Sequence, residues 1–409
     1  MEKEVLYKVS QSTGKVQEWS AWSIGSEVFT KYGQQEGKMQ TKSYTAEGTN
    51  VGRSNERTPE QQAVEEVEKL YLSQCDNKHY DYDIEKAWTM FNSCKEPRKI
   101  KNYKDLYTKL PEVMLSSVKL NGSRACVIEG ELYSKIGKKE VIKVQHIKEA
   151  VALLEEYSFD TEVFAPDMSL QRIRSAWLKP VKTDKEIIKF AKDRAKDLGN
   201  KDTFNTLEDA VLFLGYNPNE DAPKLCLYVF DIPEKEVEFK DRVTSMVFLE
   251  SIVQDRGLQD VIKFQYPIVS SSHEHRLELR TEAVNNGFEG MVHYCVDDMY
   301  LFGTRSSTTC KDKPRFDTEV LVEKVTKDKN GEGVLHVRAN DEMGRVKLKC
   351  KMKVNRRDGK THPRDYNTML NLVGKWITMS YEELSDKGVM TKPVGECERD
   401  CDVTGQPLS

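Results

Sequence analysis

Val118-Lys119-Leu120-Asn121-Gly122-Ser123-Arg124 is the stretch whose reading decides the fold of this chain. A β-prone run over residues 113–118 ends at a lysine, and Asn121-Gly122 is a turn dipeptide. A second strand is expected over residues 125–128. A free lysine has a pKa of about 10.4, so roughly one in a thousand is the nucleophilic amine at neutral pH. Burial or cationic neighbours can lower that pKa and make such a lysine a nucleophile. Gly122 would admit a ligand close to the backbone, and the fork of Arg124 suits phosphate or ribose oxygens. Taken alone, the pattern fits a hairpin turn with exposed charges at least as well.

A chain of 409 residues can hold two or three domains with substantial cores. Charged residues make up 32% of it, yet the net charge is −4, so a nucleic-acid surface must be local. No apolar run is long enough for a membrane span, and Met1-Glu2-Lys3-Glu4 does not open a signal peptide. Nine cysteines without framework spacing read as thiols in a reducing cytoplasm. Cys397 and Cys401 lack the second pair or histidine that a zinc site needs.

The patterning predicts an α+β multidomain chain in three parts. Residues 1–85 form a small module with β-prone runs at 5–9, 16–24 and 27–32, then a loop over 47–57. A helix follows, with Thr58 as cap, Pro59 in the first turn and Gln61 closing a capping box. Residues 86–315 mix strands and helices. Helices are expected over 183–198, stopped by Gly199, and over 206–214, stopped by Gly215. Residues 225–230 read as a strand buried on both faces. His273-Glu274-His275, among serines, reads as a solvated loop. Residues 316–409 carry strands at 320–325, 333–338, 346–354 and 375–381, and about five strands in this length suit a small barrel.

Further stretches follow the opening one in order: Ser134-Lys135-Ile136-Gly137-Lys138, Asp160-Thr161-Glu162-Val163-Phe164, Leu227-Tyr228-Val229-Phe230-Asp231, Phe288-Glu289-Gly290-Met291-Val292 and Arg305 to Lys313, ending Lys311-Asp312-Lys313. Each alone reads as ordinary strand or turn. Residues two apart on a strand do share a face, so Lys311 and Lys313 can point the same way and depress the pKa of a nearby lysine. In order, over nearly 200 residues, the set resembles the motifs of the covalent nucleotidyltransferases, the ligases and capping enzymes that form a lysyl-nucleotide. Asn121, where most members carry aspartate, is similar to phage-type ATP-dependent DNA ligases. Lys135 stands where the family has an arginine and keeps charge without the fork.

The resemblance implies a nucleotidyltransferase (ATP-grasp-like ligase) core with Lys119 as nucleophile, and Lys311, Lys313 and Arg124 as catalytic cations. Ser117, Lys135, Glu162, Phe230 and Glu289 would join them in holding ATP, with Phe230 stacked on the purine. Glu162 and Glu289 would organise Mg²⁺, and Arg305 would meet DNA. Lys119 would take up AMP, pass it to a 5′-phosphate at a nick in duplex DNA, and the 3′-hydroxyl would displace it. A monomer in the cytoplasm, the host's if the chain is viral, is expected, with no membrane partner.

The flanks select among relatives. Leu372 to Leu384, followed by Gly388 and Lys392-Pro393, resembles the close of the OB-fold β-barrel of ATP-dependent DNA ligases. A clear terminal Arg-x-Asp-Lys is missing near Arg399. In residues 346–354, apolar residues alternate with Lys347, Lys349, Lys351 and Lys353. As a strand they give one row of ammonium groups about 6–7 Å apart, suited to DNA phosphates, which Arg356, Arg357 and Lys360 extend. An exposed edge strand guarded by lysines is the alternative, and phosphate binding is the favoured reading because nick sealing requires the duplex to be wrapped. The N-terminal module is similar to the leading segment of some phage ligases and, more distantly, to WGR domains, through Leu6-Tyr7-Lys8, Trp19, Trp22 and Gly48 to Glu56. The Trp-Gly-Arg tripeptide is absent. Lys38, Lys42 and Arg53 are its candidate DNA contacts. An RNA ligase, a capping guanylyltransferase or a non-catalytic DNA-end binder are the alternatives.

Overall fold

The computed structural model describes residues 1–197, 200, 204–328, 331–339, 347–353, 364–385, 388–402 and 404–408. Val346, Val354, Arg356, Arg357, Lys360 and the Leu198-Gly199 helix end lie outside the described residues, as does the side chain of Lys347. The chain divides into two compact units, residues 94–314 and residues 1–93 with 315–409. Sequence reading placed boundaries at 85/86 and 315/316.

Residues 1–93 build an antiparallel sheet in chain order from β1 (Leu6–Val9), β2 (Val16–Ile24), β3 (Glu27–Gln34) and β4 (Gln40–Thr45). Leu6, Trp19, Ala21 and Val28 pack with Ala63 and Val67 of the helix Pro59–Lys78. The Thr58–Gln61 capping box is formed at its start. β4, Gln-Thr-Lys-Ser-Tyr-Thr, carries too little apolar alternation to be read in advance, and its ladder with β3 makes it a strand.

The second unit contains two sheets. In spatial order the five-stranded sheet runs Ile268–Ser270, Met114–Lys119, Gly290–Tyr294, Arg305–Asp312, Lys99–Asn102, and the six-stranded sheet runs Ile262–Phe264, Cys226–Asp231, Phe159–Phe164, Ser123–Ile128, Glu131–Tyr133, Lys139–Glu140. The five-stranded sheet is β5 (Lys99–Asn102), β6 (Met114–Lys119), β13 (Ile268–Ser270), β14 (Gly290–Tyr294) and β15 (Arg305–Asp312). The six-stranded sheet is β7 (Ser123–Ile128), β8 (Glu131–Tyr133), β9 (Lys139–Glu140), β10 (Phe159–Phe164), β11 (Cys226–Asp231) and β12 (Ile262–Phe264). Leu120-Asn121-Gly122 carries the chain from one sheet to the other. The predicted turn is therefore a passage between sheets, not a hairpin within one.

Val127, Val163, Leu227 and Val229 form one core with Ile147, Ile173, Met246 and Leu249 of the helices Gln145–Ala152, Leu170–Leu178 and Phe239–Asp255. Expected to be buried on both faces, β11 instead alternates: Leu227 and Val229 are buried, while Tyr228 and Phe230 are only partly covered. Helices cover one face of this strand, and the other borders a cleft. His273-Glu274-His275 is not a loop. It is the first turn of the helix His273–Asn285, because the Ser272 side chain accepts from the His275 backbone N–H and caps it.

Behind the cleft, Arg98 and Arg242 are sealed in with Asp231 and Asp298. Arg98 Nη2 donates to Asp231 Oδ2 at 2.7 Å, and its Nη1 pairs with Asp298. Arg242 Nε donates to Asp231 Oδ1 at 2.7 Å and Nη2 to Asp298 Oδ2 at 3.2 Å. Asp231 ends a strand of the six-stranded sheet. Arg98 directly precedes β5, and Asp298 lies between β14 and β15, so the quartet ties the two sheets together.

Residues 315–409 close into a barrel, β16 (Phe316–Lys327), β17 (Gly333–Ala339), β18 (Lys347–Met352), β20 (Val394–Glu398) and β19 (Trp376–Tyr381) in spatial order. Val320, Val322, Leu335, Val337, Leu348, Cys350, Ile377 and Met379 fill it. β18 pairs with β17 and with β20, so the basic strand is not a sheet edge.

Removing one member of the quartet leaves an uncompensated buried charge. Arg242→Ala should cost about 3–5 kcal/mol, read from denaturant unfolding of the full chain.

Candidate active site

The site is built where the two sheets of the central unit face each other. On the five-stranded sheet, Ser117 is cross-strand to Val292, which is cross-strand to Lys311, and Lys119 is opposite Gly290. Directly opposed residues share a face, so Ser117, Lys119, Val292 and Lys311 project together toward the cleft. On the other sheet Arg124 is opposite Glu162, and Glu162 is opposite Tyr228. Ser117, Lys119, Arg124, Glu162, Phe230 and Val292 line one cavity of about 100 Å³, together with Arg98, Gln265, Tyr294 and Thr309.

Glu289 is the hinge of the charge arrangement. Its two carboxylate oxygens pair with Lys119 on one side and Lys313 on the other. Its backbone N–H donates to the Lys119 carbonyl at 3.0 Å, which fixes it beside the lysine. Burial works to raise the Glu289 carboxyl, but the two lysines outweigh it and hold the group below the ordinary carboxylate range. Glu162 lies opposite. Burial pushes it up to about 7, against the opposing pull of Lys119 and Arg124. Glu289 adds to that rise, so the two carboxylates lie close enough to feel each other.

Arg124 differs in detail from the expected phosphate fork. Its Nε donates to Asp160 Oδ1 at 3.0 Å, its Nη2 pairs with the same carboxylate, and its Nη1 donates to the Arg98 carbonyl at 2.6 Å. Tyr300 also donates to Asp160, at 2.6 Å. The guanidinium lies 5.7 Å from the Phe230 ring centroid, so it presents charge beside the aromatic while its fork is engaged. Neither Asp160 nor Tyr300 was singled out from the sequence. Asp160 sits two residues before Glu162, the one local signal available. Arg98, Gln265 and Tyr294 had none.

Two glycines let the backbones meet. A Cβ on Gly122 would stand 2.3 Å from the Val163 carbonyl oxygen and 2.8 Å from Glu162 Cγ. Gly290 has φ 143°, and a Cβ there would stand 2.2 Å from the Asp312 carbonyl oxygen.

Other expected residues lie elsewhere. Lys135 is exposed in the turn between β8 and β9 and does not line the cavity. Arg305 begins β15, about 20 Å along the strand from Lys311, and donates to the Ile100 carbonyl. Lys38, Lys42 and Arg53 are exposed in the N-terminal module, with Lys42 Nζ 5.5 Å from the Tyr32 ring centroid.

For Mg²⁺, Glu162 and Glu289 supply two hard oxygen donors facing one another. Among the described residues no group of three or more His, Cys, Asp or Glu could hold a metal, Cys397 and Cys401 included. Two carboxylates fit Mg²⁺, which commonly takes its other ligands from water and substrate phosphates. No described helix is long and apolar enough to cross a membrane.

No protein-family model matches the sequence, and no curated protein is significantly similar to it. Solved structures are similar. A Lig E DNA ligase superposes with a TM-score of 0.51 at 17% identity, over 75% of this chain and 99% of its own. A structure designated Pmar-Lig_Pre superposes with a TM-score of 0.54 at 17% identity, over 76% of this chain and 68% of its own. The chain has the fold of the DNA ligases. The two-sheet unit and the closed barrel lie where the sequence resemblance implies a nucleotidyltransferase core and an OB-fold domain. Lys119 stands where that core passes from sheet to sheet.

Gly122→Ala and Gly290→Ala should each destabilise the ligase fold by about 1–3 kcal/mol, the usual cost of overpacking, measured by denaturant unfolding.

Proposed function

We propose that the chain is an ATP-dependent DNA ligase that seals nicks in duplex DNA through a lysyl-AMP intermediate. The observation that carries this reading is Glu289 shared between Lys119 and Lys313, with Lys119 lining a cavity that Glu162 and Phe230 line from the opposite sheet. Purine stacking on Phe230, with Val292 across the cavity, would bring the α-phosphorus of ATP toward Lys119. Lys119 Nζ, once it has lost a proton, bonds to that phosphorus as the bond to pyrophosphate breaks. Lys311, Lys313 and the charge of Arg124 offset the negative charge that builds on the phosphate oxygens. Mg²⁺ bound at Glu162 and Glu289 would draw charge from those oxygens. AMP then passes to the 5′-phosphate at the nick, and the 3′-hydroxyl displaces it.

The flanks extend the reading. A closed barrel in the same chain gives a second surface for duplex DNA. The N-terminal module, WGR-like by its Trp19, Trp22 and Gly48 to Glu56 pattern, adds Lys38, Lys42 and Arg53. Three domains, 1–85, 86–315 and 316–409, acting as a monomer in the cytoplasm, complete the proposal.

Incubation with α-labelled ATP and Mg²⁺ tests it. Labelled protein that disappears in Lys119→Ala supports the reading, and wild-type protein that takes no label sinks it. Offering the labelled protein nicked DNA, nicked RNA–DNA hybrids and capped-RNA precursors separates DNA ligase from its alternatives.

A pH profile provides a second test. Below about pH 7 Glu162 is protonated and cannot serve as an anionic ligand, and above it the carboxylate forms. Label uptake should therefore rise with pH through about 7, by up to tenfold per unit on the acid side. Glu162→Gln should be slow and lack that limb.

A further inference from the structure

The lysines of β18 do not share one environment. Lys351 Nζ lies 2.6 Å from Glu332 Oε2 and also pairs with Asp328, while Lys353 Nζ lies 2.9 Å from Glu396 Oε2. Their charges are offset within the barrel. Lys349 is exposed, and no carboxylate among the described residues pairs with it. Its cross-strand neighbour on β17 is His336, and His336 is opposite Lys324 on β16, also exposed. The three side chains share one face in a row across three strands, about 4.8 Å from strand to strand.

Paired charges lie on either side of this row. Arg338, two residues from His336 on the same face, pairs with Glu323 at 3.2 Å, and Lys351 closes the other side with its two carboxylates. Among the described residues no carboxylate pairs with Lys324 or Lys349, and an anionic group set over His336 would lie between the two ammonium groups. The outer face of the second and third strands is also where five-stranded barrels of this type take oligonucleotides.

We propose that Lys324, His336 and Lys349 form a proton-linked site for the phosphodiester backbone of a nucleic acid. This rests on the reading of the chain as a DNA ligase and extends it, making the grip on DNA depend on the charge of one histidine. The groups facing His336 are Lys324 from β16, Lys349 from β18 and Thr326, whose Oγ1 lies 2.9 Å from His336 Nε2. Partial burial, then Lys349 and Lys324, hold the imidazole below the ordinary histidine range, which favours its neutral form in the free protein. A phosphate placed among the three reverses the balance. Binding therefore takes up a proton, and affinity rises as the pH falls through the range where the free histidine is neutral and the bound one charged.

The experiment uses the full chain and a fluorescent nicked duplex, with affinity measured against salt at about pH 6 and about pH 8. Wild type should bind more tightly at the lower pH, and His336→Gln should lose most of that difference. Lys324→Gln and Lys349→Gln should each reduce the slope of log affinity against log salt by about one. Lys351→Gln, whose charge is already offset, should change it less. Tripolyphosphate competing at equal charge concentration would assign the site to free phosphate and overturn the nucleic-acid proposal. A pH difference undiminished in His336→Gln, or slopes unchanged in both lysine variants, would also overturn it. Labelling of wild type by α-labelled ATP is scored separately, so failure of the ligase reading is distinguishable from failure of this site.

Discussion

Two arginines and two aspartates, sealed from water between the sheets of the central unit, are the constraint on which the site depends. Each guanidinium bridges both carboxylates, so the four charges balance and no polar group is stranded at the cost of a bare buried ion. Asp231 follows Phe230 directly and thereby sets where the aromatic ring enters the cleft. The carbonyl of Arg98 receives Arg124, which in turn grips Asp160. A continuous run of polar contacts thus leads from the buried quartet to the cavity wall. Packing alone would leave the two sheets free to slide, because apolar contact is not directional.

The parts legible in advance were those with a local signature. Lys119, Arg124, Glu162, Phe230 and Glu289 each sit on or at the end of a short strand with a recognisable neighbour, and all five come to one place. The capping box at Thr58 was legible for the same reason. Arg98, Asp160, Asp298 and Tyr300 were not, because their partners lie up to 200 residues away in sequence. β11 was misjudged because Tyr and Phe suit a core and a ligand surface equally well. Only the absence of a helix layer on one side separates the two cases.

Charge patterns show a related limit. The alternation in β18 was visible, and so was its buried face. What stood opposite each lysine was not, since closure of the barrel alone brings Asp328, Glu332 and Glu396 to that strand. A row read along one strand became a row across three, and a histidine with no sequence signal fell at its centre.

The passage Leu120-Asn121-Gly122 divides labour between two sheets. The proposed nucleophile, its partner Glu289 and the lysines behind it all ride on one sheet, whereas Phe230, Glu162 and Arg124 ride on the other. In the proposed reading, substitutions around Phe230 reshape the wall that would meet the base while the lysine–carboxylate–lysine array stays intact. The cleft is nonetheless a joint product: the proposed chemistry draws Lys119 and Glu289 from one sheet and Glu162 and Arg124 from the other, so neither sheet can slip in register without displacing half of it.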